Sequence, residues 1–85
     1  MSMANLTKKV LDTRTFPEIC KSLTQNQWLE IRNRMFLKLG KTEQTLLNWR
    51  WGKTYPLSLI ERKTISEIVN SVLGIKTQHN TLFIV

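Results

Sequence analysis

Residues 39–56 read LGKTEQTLLNWRWGKTYP, and this segment decides the predicted fold. Gly40 can adopt the left-handed conformation in which many helices end. Thr42 can cap a new helix, and the acidic Glu43 is favourable beside its amino end. Gly52 then closes that helix. The segment therefore predicts a helix over 42–51, preceded by a tight glycine turn.

A second helix is predicted immediately before this turn. Thr24 and Gln27 have the spacing of a capping box, in which hydroxyl and amide satisfy backbone donors reciprocally. Apolar residues then recur at steps of three and four, as on one face of a helix: Trp28, Ile31, Met35 and Leu39. The pattern predicts a helix over 25–39. Two helices joined so tightly are expected to cross steeply, as in a helix-turn-helix.

Two further helices are predicted on either side of this pair. Phe16-Pro17-Glu18 is typical of a helix start, because proline is tolerated in the first turn and an acid complements the dipole there. We expect Ile19, Cys20 and Leu23 to form the buried side of this short helix.

The fourth helix is predicted over 58–73. Ser58 and Glu61 repeat the capping-box spacing directly after a proline. Apolar residues follow at helical spacing: Ile65, Ile68, Val69 and Val72. Gly74 is expected to end the helix.

The chain is therefore expected to be all-α, a bundle of four to five helices. We divide it into a basic arm or short helix over 1–15, a helix-turn-helix domain over 16–75 and a C-terminal tail over 76–85. The apolar residues 81–85 are β-prone, but no alternating run is long enough for a sheet. We expect this apolar end to cover a groove in its own domain or in a partner.

The charge of the chain favours polyanionic partners. Its 85 residues include 13 Lys and Arg against 6 Asp and Glu, a formal net charge of +7. The whole excess lies in residues 1–63, where cations alternate with apolar residues. Nucleic acid is the expected partner, or else an anionic membrane surface. No apolar run approaches the roughly 20 residues of a membrane span, and we expect no secretory signal.

The helix over 42–51 has two sides when its residues are placed at 100° intervals. One side is expected to face the core: Thr42, Thr45, Leu46 and Trp49. The opposite side, which we call the outer face, carries Gln44, Leu47, Asn48 and Trp51.

The outer face has the chemistry for reading base edges. Gln44 and Asn48 can pair bidentately with adenine, and Leu47 can contact a thymine methyl group. Glu43 either accepts from a cytosine amine or only stabilises the helix start. Side chains around this face can neutralise or contact phosphates: Lys41, Arg50, Lys53 and Thr54.

Residues 39–56 resemble the helix-turn-helix of the phage-repressor and Cro-like proteins, also called XRE-type regulators. The matching features, in register, are Leu39-Gly40, Thr42, Thr45, Leu46, Trp49, Gly52-Lys53 and Pro56. The resemblance implies a lambda-repressor-like fold. It also implies a dimeric regulator that binds double-stranded DNA in a sequence-specific manner. It implies base reading by Glu43, Gln44 and Asn48, with phosphate contacts at Thr42, Lys53 and Thr54.

Three positions depart from that family pattern. Phe36 stands where the family usually has a small alanine, Arg50 where it has an acidic residue, and Trp51 where it has a polar one. Trp51 either contacts phosphate, sugar or a second subunit, or packs beneath Tyr55 or the apolar tail. Of these we favour packing.

Enzymatic and metal chemistry are not expected. His79 is the only histidine, and Cys20, the only cysteine, is predicted to lie on a buried helix side without a base. The single cysteine forms no internal disulfide and fits a cytoplasmic protein. We therefore expect no cofactor, metal or small-molecule substrate. The alternatives to a DNA-binding regulator are a protein-interaction module on the same scaffold and an RNA-binding protein that stacks bases on Trp51 and Tyr55.

Overall fold

Helices dominate residues 10–84, the part of the chain that the computed structural model describes. In chain order they are α1 (Phe16–Lys21), α2 (Gln25–Leu39), α3 (Glu43–Arg50), α4 (Leu59–Leu73) and α5 (His79–Leu82). The only β pairing within these residues is an isolated parallel bridge between Leu11 and Lys76. The prediction of an all-α fold with four to five helices is confirmed.

Reciprocal capping boxes begin the first two helices. At α1, the Thr15 N–H donates to Glu18 Oε1 over 2.8 Å, and the Glu18 N–H donates to Thr15 Oγ1 over 3.4 Å. At α2, the Thr24 N–H donates to Gln27 Oε1 over 2.9 Å, and the Gln27 N–H returns to Thr24 Oγ1. The box predicted at Thr24 and Gln27 is confirmed.

The box predicted at the start of α4 is only half formed. Ser58 accepts from the Glu61 N–H as expected. The Glu61 carboxylate, however, forms an ion pair of 2.9 Å with Lys41 Nζ and does not return to the cap. A charged partner makes the stronger hydrogen bond. Glu61 therefore ties α4 to the turn between α2 and α3.

One apolar core joins all five helices. It consists of Phe16, Ile19, Cys20, Trp28, Ile31, Met35, Leu46, Trp49, Ile65, Ile68, Val69, Leu82 and Phe83. Most of these positions follow from the predicted helical stripes. Within the core, α2 packs along α4 and α1 packs against α3.

A single helical turn, α5, lies just before the C-terminal residues and overlaps the β-prone segment at Thr81 and Leu82. The Leu82 N–H donates to the Gln78 carbonyl over 2.9 Å, which closes the single turn of α5. Leu82 and Phe83 are buried in the core, and the Phe83 and Phe16 ring centroids lie 5.4 Å apart. Of the β-prone residues 81–85, Thr81 and Leu82 are helical and Phe83 has an extended backbone, whereas Val85 lies outside the described residues. As expected, the described part of this segment forms no sheet. The expectation that the tail covers its own domain is confirmed for these two residues.

A buried polar cluster holds the segment between α4 and α5. Ser66 Oγ and Thr77 Oγ1 lie 2.8 Å apart, and Asn70 Oδ1 accepts from both the N–H and the hydroxyl of Thr77 at 2.7 Å. Because these groups satisfy one another, their burial costs little. They fix the direction in which the chain enters α5.

The predicted arm or short helix over 1–15 is described only in part. Residues 1–9 lie outside the described residues. Residues 10–15 form no helix, so the helical interpretation is wrong there. The Asp12 N–H instead donates to the Lys76 carbonyl over 2.7 Å. This bond attaches the segment before α1 to the segment after α4.

Candidate nucleic-acid interface

The turn between α2 and α3 is short and locally determined. Gly40 ends α2 with a φ of 65°, and its N–H donates to the Phe36 carbonyl. Thr42 then caps α3 by accepting from the Thr45 N–H over 3.3 Å, and the two threonine hydroxyls lie 3.0 Å apart. The left-handed conformation of Gly40 and the capping role of Thr42 were both predicted, and both are confirmed.

The inner side of α3 anchors the helix to the core. Leu46 and Trp49 are buried, and Thr45 is half-buried, as predicted. Thr42, also expected on this side, is exposed. Its placement was wrong because a capping residue lies outside the helix and bends its side chain back toward the helix end.

The outer face presents two linked amides. Gln44 is exposed and Asn48 is half-buried, and Gln44 Nε2 donates to Asn48 Oδ1 over 3.1 Å. Gln44 keeps one amide hydrogen and its whole carbonyl free, so bidentate pairing with adenine remains open to it. Asn48 keeps both of its amide hydrogens. The hydrogen bond orients the two groups toward the same side of the helix.

Leu47 does not belong to the outer face as predicted. It is half-buried and packs against the core. A leucine at the edge of a helix gains free energy by leaning onto apolar neighbours. The proposed contact between Leu47 and a thymine methyl group therefore loses part of its geometric basis.

Two predicted contact residues are already paired within the protein. Glu43 Oε1 lies 3.1 Å from Nη1 of Arg32 on α2. Lys41 forms its ion pair with Glu61 on α4. Both pairs are partly exposed, so phosphates or bases can compete for them.

Arg50 rests against two indole rings. Its Cζ atom lies 4.5 Å from the ring centroid of Trp28 and 4.8 Å from that of Trp51. Trp51 is 57% exposed, so the favoured interpretation that it packs beneath Tyr55 or the tail is wrong. The aromatic ring that packs against Phe16 of α1 belongs to Phe83. Trp51 remains available to a partner.

The loop after α3 folds back on the end of the helix. The N–H groups of Lys53 and Thr54 donate to the Asn48 carbonyl over 2.9 and 3.4 Å. Gly52 has a φ of 76°, and a Cβ there would lie 3.2 Å from Pro17 Cγ. Both reasons favour glycine. The side chains of Lys53 and Thr54 are exposed next to the outer face.

Arg32 and Trp28 lie beside the candidate interface through their contacts with Glu43 and Arg50, and neither was predicted there. Their spacing of four places them on one side of α2, which is a visible signal. Trp28 was assigned to the core stripe only. Their contacts with Arg50 and Glu43 join two helices, and the pattern of either helix alone does not reveal them.

Three further features bear on the function of the described residues: the reactivity of the Cys20 thiol, the capacity to hold a metal ion and the capacity to span a membrane. Burial raises the pKa of the Cys20 thiol to about 12, so it is a poor nucleophile. Within residues 10–84, no three His, Cys, Asp or Glu side chains are grouped to hold a metal ion. None of the described helices combines the length and apolar character needed to cross a membrane.

Comparison of the chain with protein-family models, with curated proteins and with solved structures finds no match.

Proposed function

We propose that this protein is a sequence-specific regulator that binds double-stranded DNA with α3 in the major groove. The observation that carries the proposal is the pair of linked amides, Gln44 and Asn48, on the side of α3 opposite its buried anchors. The buried Leu46 and Trp49 fix the helix backbone from which these amides project. The pairing of an amide with adenine depends on the geometry between the side chain and the base edge.

Phosphate contacts would come from both ends of α3. Lys53 and Thr54 are exposed at its carboxyl end, and Thr42 is exposed at its amino end. Lys41 and Arg50 add positive charge at the two ends. With a net charge of +7, such contacts would supply most of the affinity and make it depend on salt.

Glu43 would act as a base-reading residue held in place by Arg32. A lone carboxylate is repelled by the phosphates of DNA, whereas the paired one carries little net charge. Its second oxygen remains free to accept from a cytosine amine. This supports the first of the two roles that the sequence allows for Glu43.

A homodimer would place two copies of α3 on the two halves of a symmetric site. Exposed apolar side chains follow the loop after α3: Leu57 and Ile60 are 81% and 75% exposed, and Leu59 lies between them in the sequence. Burying these residues against a second copy would remove an apolar patch from water. The described helices share one core, and repression by this domain would work by occupying the site.

The apolar patch also supports the second candidate, a protein-interaction module that has no DNA contacts. On that hypothesis the patch binds a different protein, and duplex DNA is not bound at moderate salt. The buried positions of Leu82 and Phe83 count against a role for the tail in such binding.

The deciding experiment is selection of bound sequences from a random duplex pool at two salt concentrations. Enrichment of one sequence, with affinity that falls at higher salt, is the expected result. Retention of duplexes without enrichment would reduce the proposal to nonspecific binding. No retention at the lower salt would favour the interaction module.

A further inference from the structure

A pocket on one flank of α3 has the composition of a phosphate site. Its volume is about 430 Å³, and we call it the Arg50 pocket. It is lined by Leu23, Gln25, Trp28, Leu29, Arg32 and Arg50. Two of these six residues are arginines, and none is acidic. Arg32 is paired with Glu43, so the positive charge that favours an anion in this lining comes chiefly from Arg50.

Arg50 is the one arginine among residues 10–84 whose side chain forms no hydrogen bond or ion pair within those residues. The other four arginines of residues 10–84 each donate a side-chain hydrogen bond. The Nε atom of Arg50 is buried and finds no acceptor among residues 10–84, and none of the ion pairs formed within these residues includes Arg50. Arg32 also has a buried Nε without an acceptor.

The indole rings prepare Arg50 for a ligand. The contacts with Trp28 and Trp51 restrict the guanidinium group before anything binds. A restricted guanidinium loses less entropy when it forms hydrogen bonds. Its planar fork matches the oxygens of a phosphate group.

The pocket lies where the backbone of DNA would pass. Glu43 and Arg50 are seven residues apart and therefore share one flank of α3. Arg32 contacts Glu43 and Trp28 contacts Arg50, so this part of α2 runs along that flank. The major groove is about 12 Å wide, close to the diameter of a helix with its side chains. Phosphates of one strand would then lie beside the flanks of α3.

We infer that the Arg50 pocket binds a phosphate group, with Arg50 and Arg32 as its donors and the two indoles as the groups that position Arg50. The phosphate comes from the duplex backbone or from free phosphate, and the inference about the backbone rests on the proposed function. Binding there gives the Arg50 guanidinium group an acceptor that it lacks among residues 10–84.

The first arm of the test measures binding to a duplex of arbitrary sequence over a series of salt concentrations. Arg50→Gln should lower the slope of log K against log salt by about 0.9, which is about an eightfold loss of affinity at 0.1 M salt. Arg50→Lys should keep most of the slope, because the charge remains. Lys63→Gln is the matched control, since this exposed lysine on α4 forms no ion pair within residues 10–84.

The second arm uses inorganic phosphate and the tryptophan emission of the unmodified protein, with sodium chloride at equal ionic strength as the reference. A saturable change that Arg50→Gln removes identifies free phosphate as a ligand. A lower slope without any emission change identifies the backbone phosphate.

The inference fails if Arg50→Gln leaves the slope unchanged and phosphate leaves the emission unchanged. It also fails if Arg50→Gln and Lys63→Gln lower the slope equally, or if phosphate changes the emission of Arg50→Gln as it does that of the parent. Should Arg50→Gln not fold, Arg32→Gln and the phosphate titration decide in its place. If the parent protein binds no duplex at all, the proposed function fails, and the phosphate arm still decides whether the pocket is an anion site.

Discussion

Arg32 on α2 and Glu43 on α3 form an ion pair across the helix turn, with 3.1 Å between Nη1 and Oε1. Asn33 Oδ1 accepts a further, longer hydrogen bond from Arg32, and the Arg32 Cζ atom lies 5.8 Å from the ring centroid of Phe36. Residues of α2 thus hold the first side chain of α3 in position. This links the amino end of the proposed recognition helix to the helix before it.

Arg32→Ala should alter sequence preference more than stability. Loss of the partly exposed ion pair itself should change the free energy of unfolding by less than about 1 kcal/mol. Without Arg32, the Glu43 side chain is no longer held in place, and it should discriminate less between the possible bases at the base pair that it contacts. Sequence selection and urea unfolding measure the two effects. The matched control is Arg34→Ala, which breaks the ion pair of Arg34 with Glu30 on α2. An equal change of preference in that control would contradict the role given to Glu43.

Replacing both amides of the outer face should erase operator preference. Each bidentate pair with a base contributes about 1–3 kcal/mol of discrimination. Gln44→Ala combined with Asn48→Ala should therefore bind all duplexes with the affinity of a nonspecific site. The matched control is Gln78→Ala combined with Asn80→Ala, which removes one glutamine and one asparagine amide, both exposed, near α5. This control should leave the sequence preference intact. Equal loss of affinity on every sequence, with the preference retained, would show that other residues read the bases.

The two tryptophans at the end of α3 should differ sharply in their effect on stability. Trp49 is 4% exposed, so Trp49→Ala should lower the free energy of unfolding by about 3–5 kcal/mol. Trp51→Ala removes an exposed ring and one contact with Arg50, and should cost about 1 kcal/mol or less. Urea unfolding compares them directly. Similar losses would mean that Trp51 is buried in solution.

Cys20 should make stability fall at high pH. Burial raises its pKa from 9.0 to about 12, so the folded state keeps the thiol proton longer than the unfolded state does. Below pH 9 both states are protonated and the thiol has no effect. Above it, stability should fall by up to about 1.4 kcal/mol per pH unit until the folded thiol titrates.

Cys20→Ala isolates this effect, because the variant differs from the parent only in the thiol. The difference in unfolding free energy between the parent and Cys20→Ala should shrink as the pH rises from 9. A thiol reagent should also label Cys20 slowly in the folded protein and fast in urea. Fast labelling of the folded protein at pH 8 would contradict the burial.

Charges placed in the apolar patch after Pro56 should weaken a homodimer. Ile60→Lys puts like charges against each other at a symmetric interface, so the protein should sediment as a monomer at concentrations where the parent is a dimer. Leu37→Lys is the control, because Leu37 is 87% exposed on α2 outside this patch. A parent protein that is monomeric on and off DNA would rule out the dimer.

Local signals predicted the helices well. Gly40 and Gly74 end α2 and α4 in the left-handed conformation, and Thr24, Thr42 and Ser58 cap the helices expected after them. Capping involves residues within three or four positions of each other. Such contacts are visible in the order of the residues.

The candidate site was predicted only in part. The exposure of Gln44 and the burial of Trp49 follow from helical period, whereas Leu47 lies at the edge between the two sides. The burial of Leu47 depends on how far the apolar side chains of the neighbouring helices extend, and a helical wheel of α3 alone carries no information about those helices. The partners of Glu43 and Arg50 were missed for the same reason, since they belong to another helix.

The order of residues by itself determined an all-α chain whose third helix carries amides on one side and its anchors on the other, because periodicity and caps act over a few positions. Only the tertiary structure decided that Leu82 and Phe83 complete the core, and that Arg50 lies against Trp28 and Trp51. These contacts join separate segments. They arise when several helices bury their apolar sides together, and that arrangement is a property of the whole packed chain.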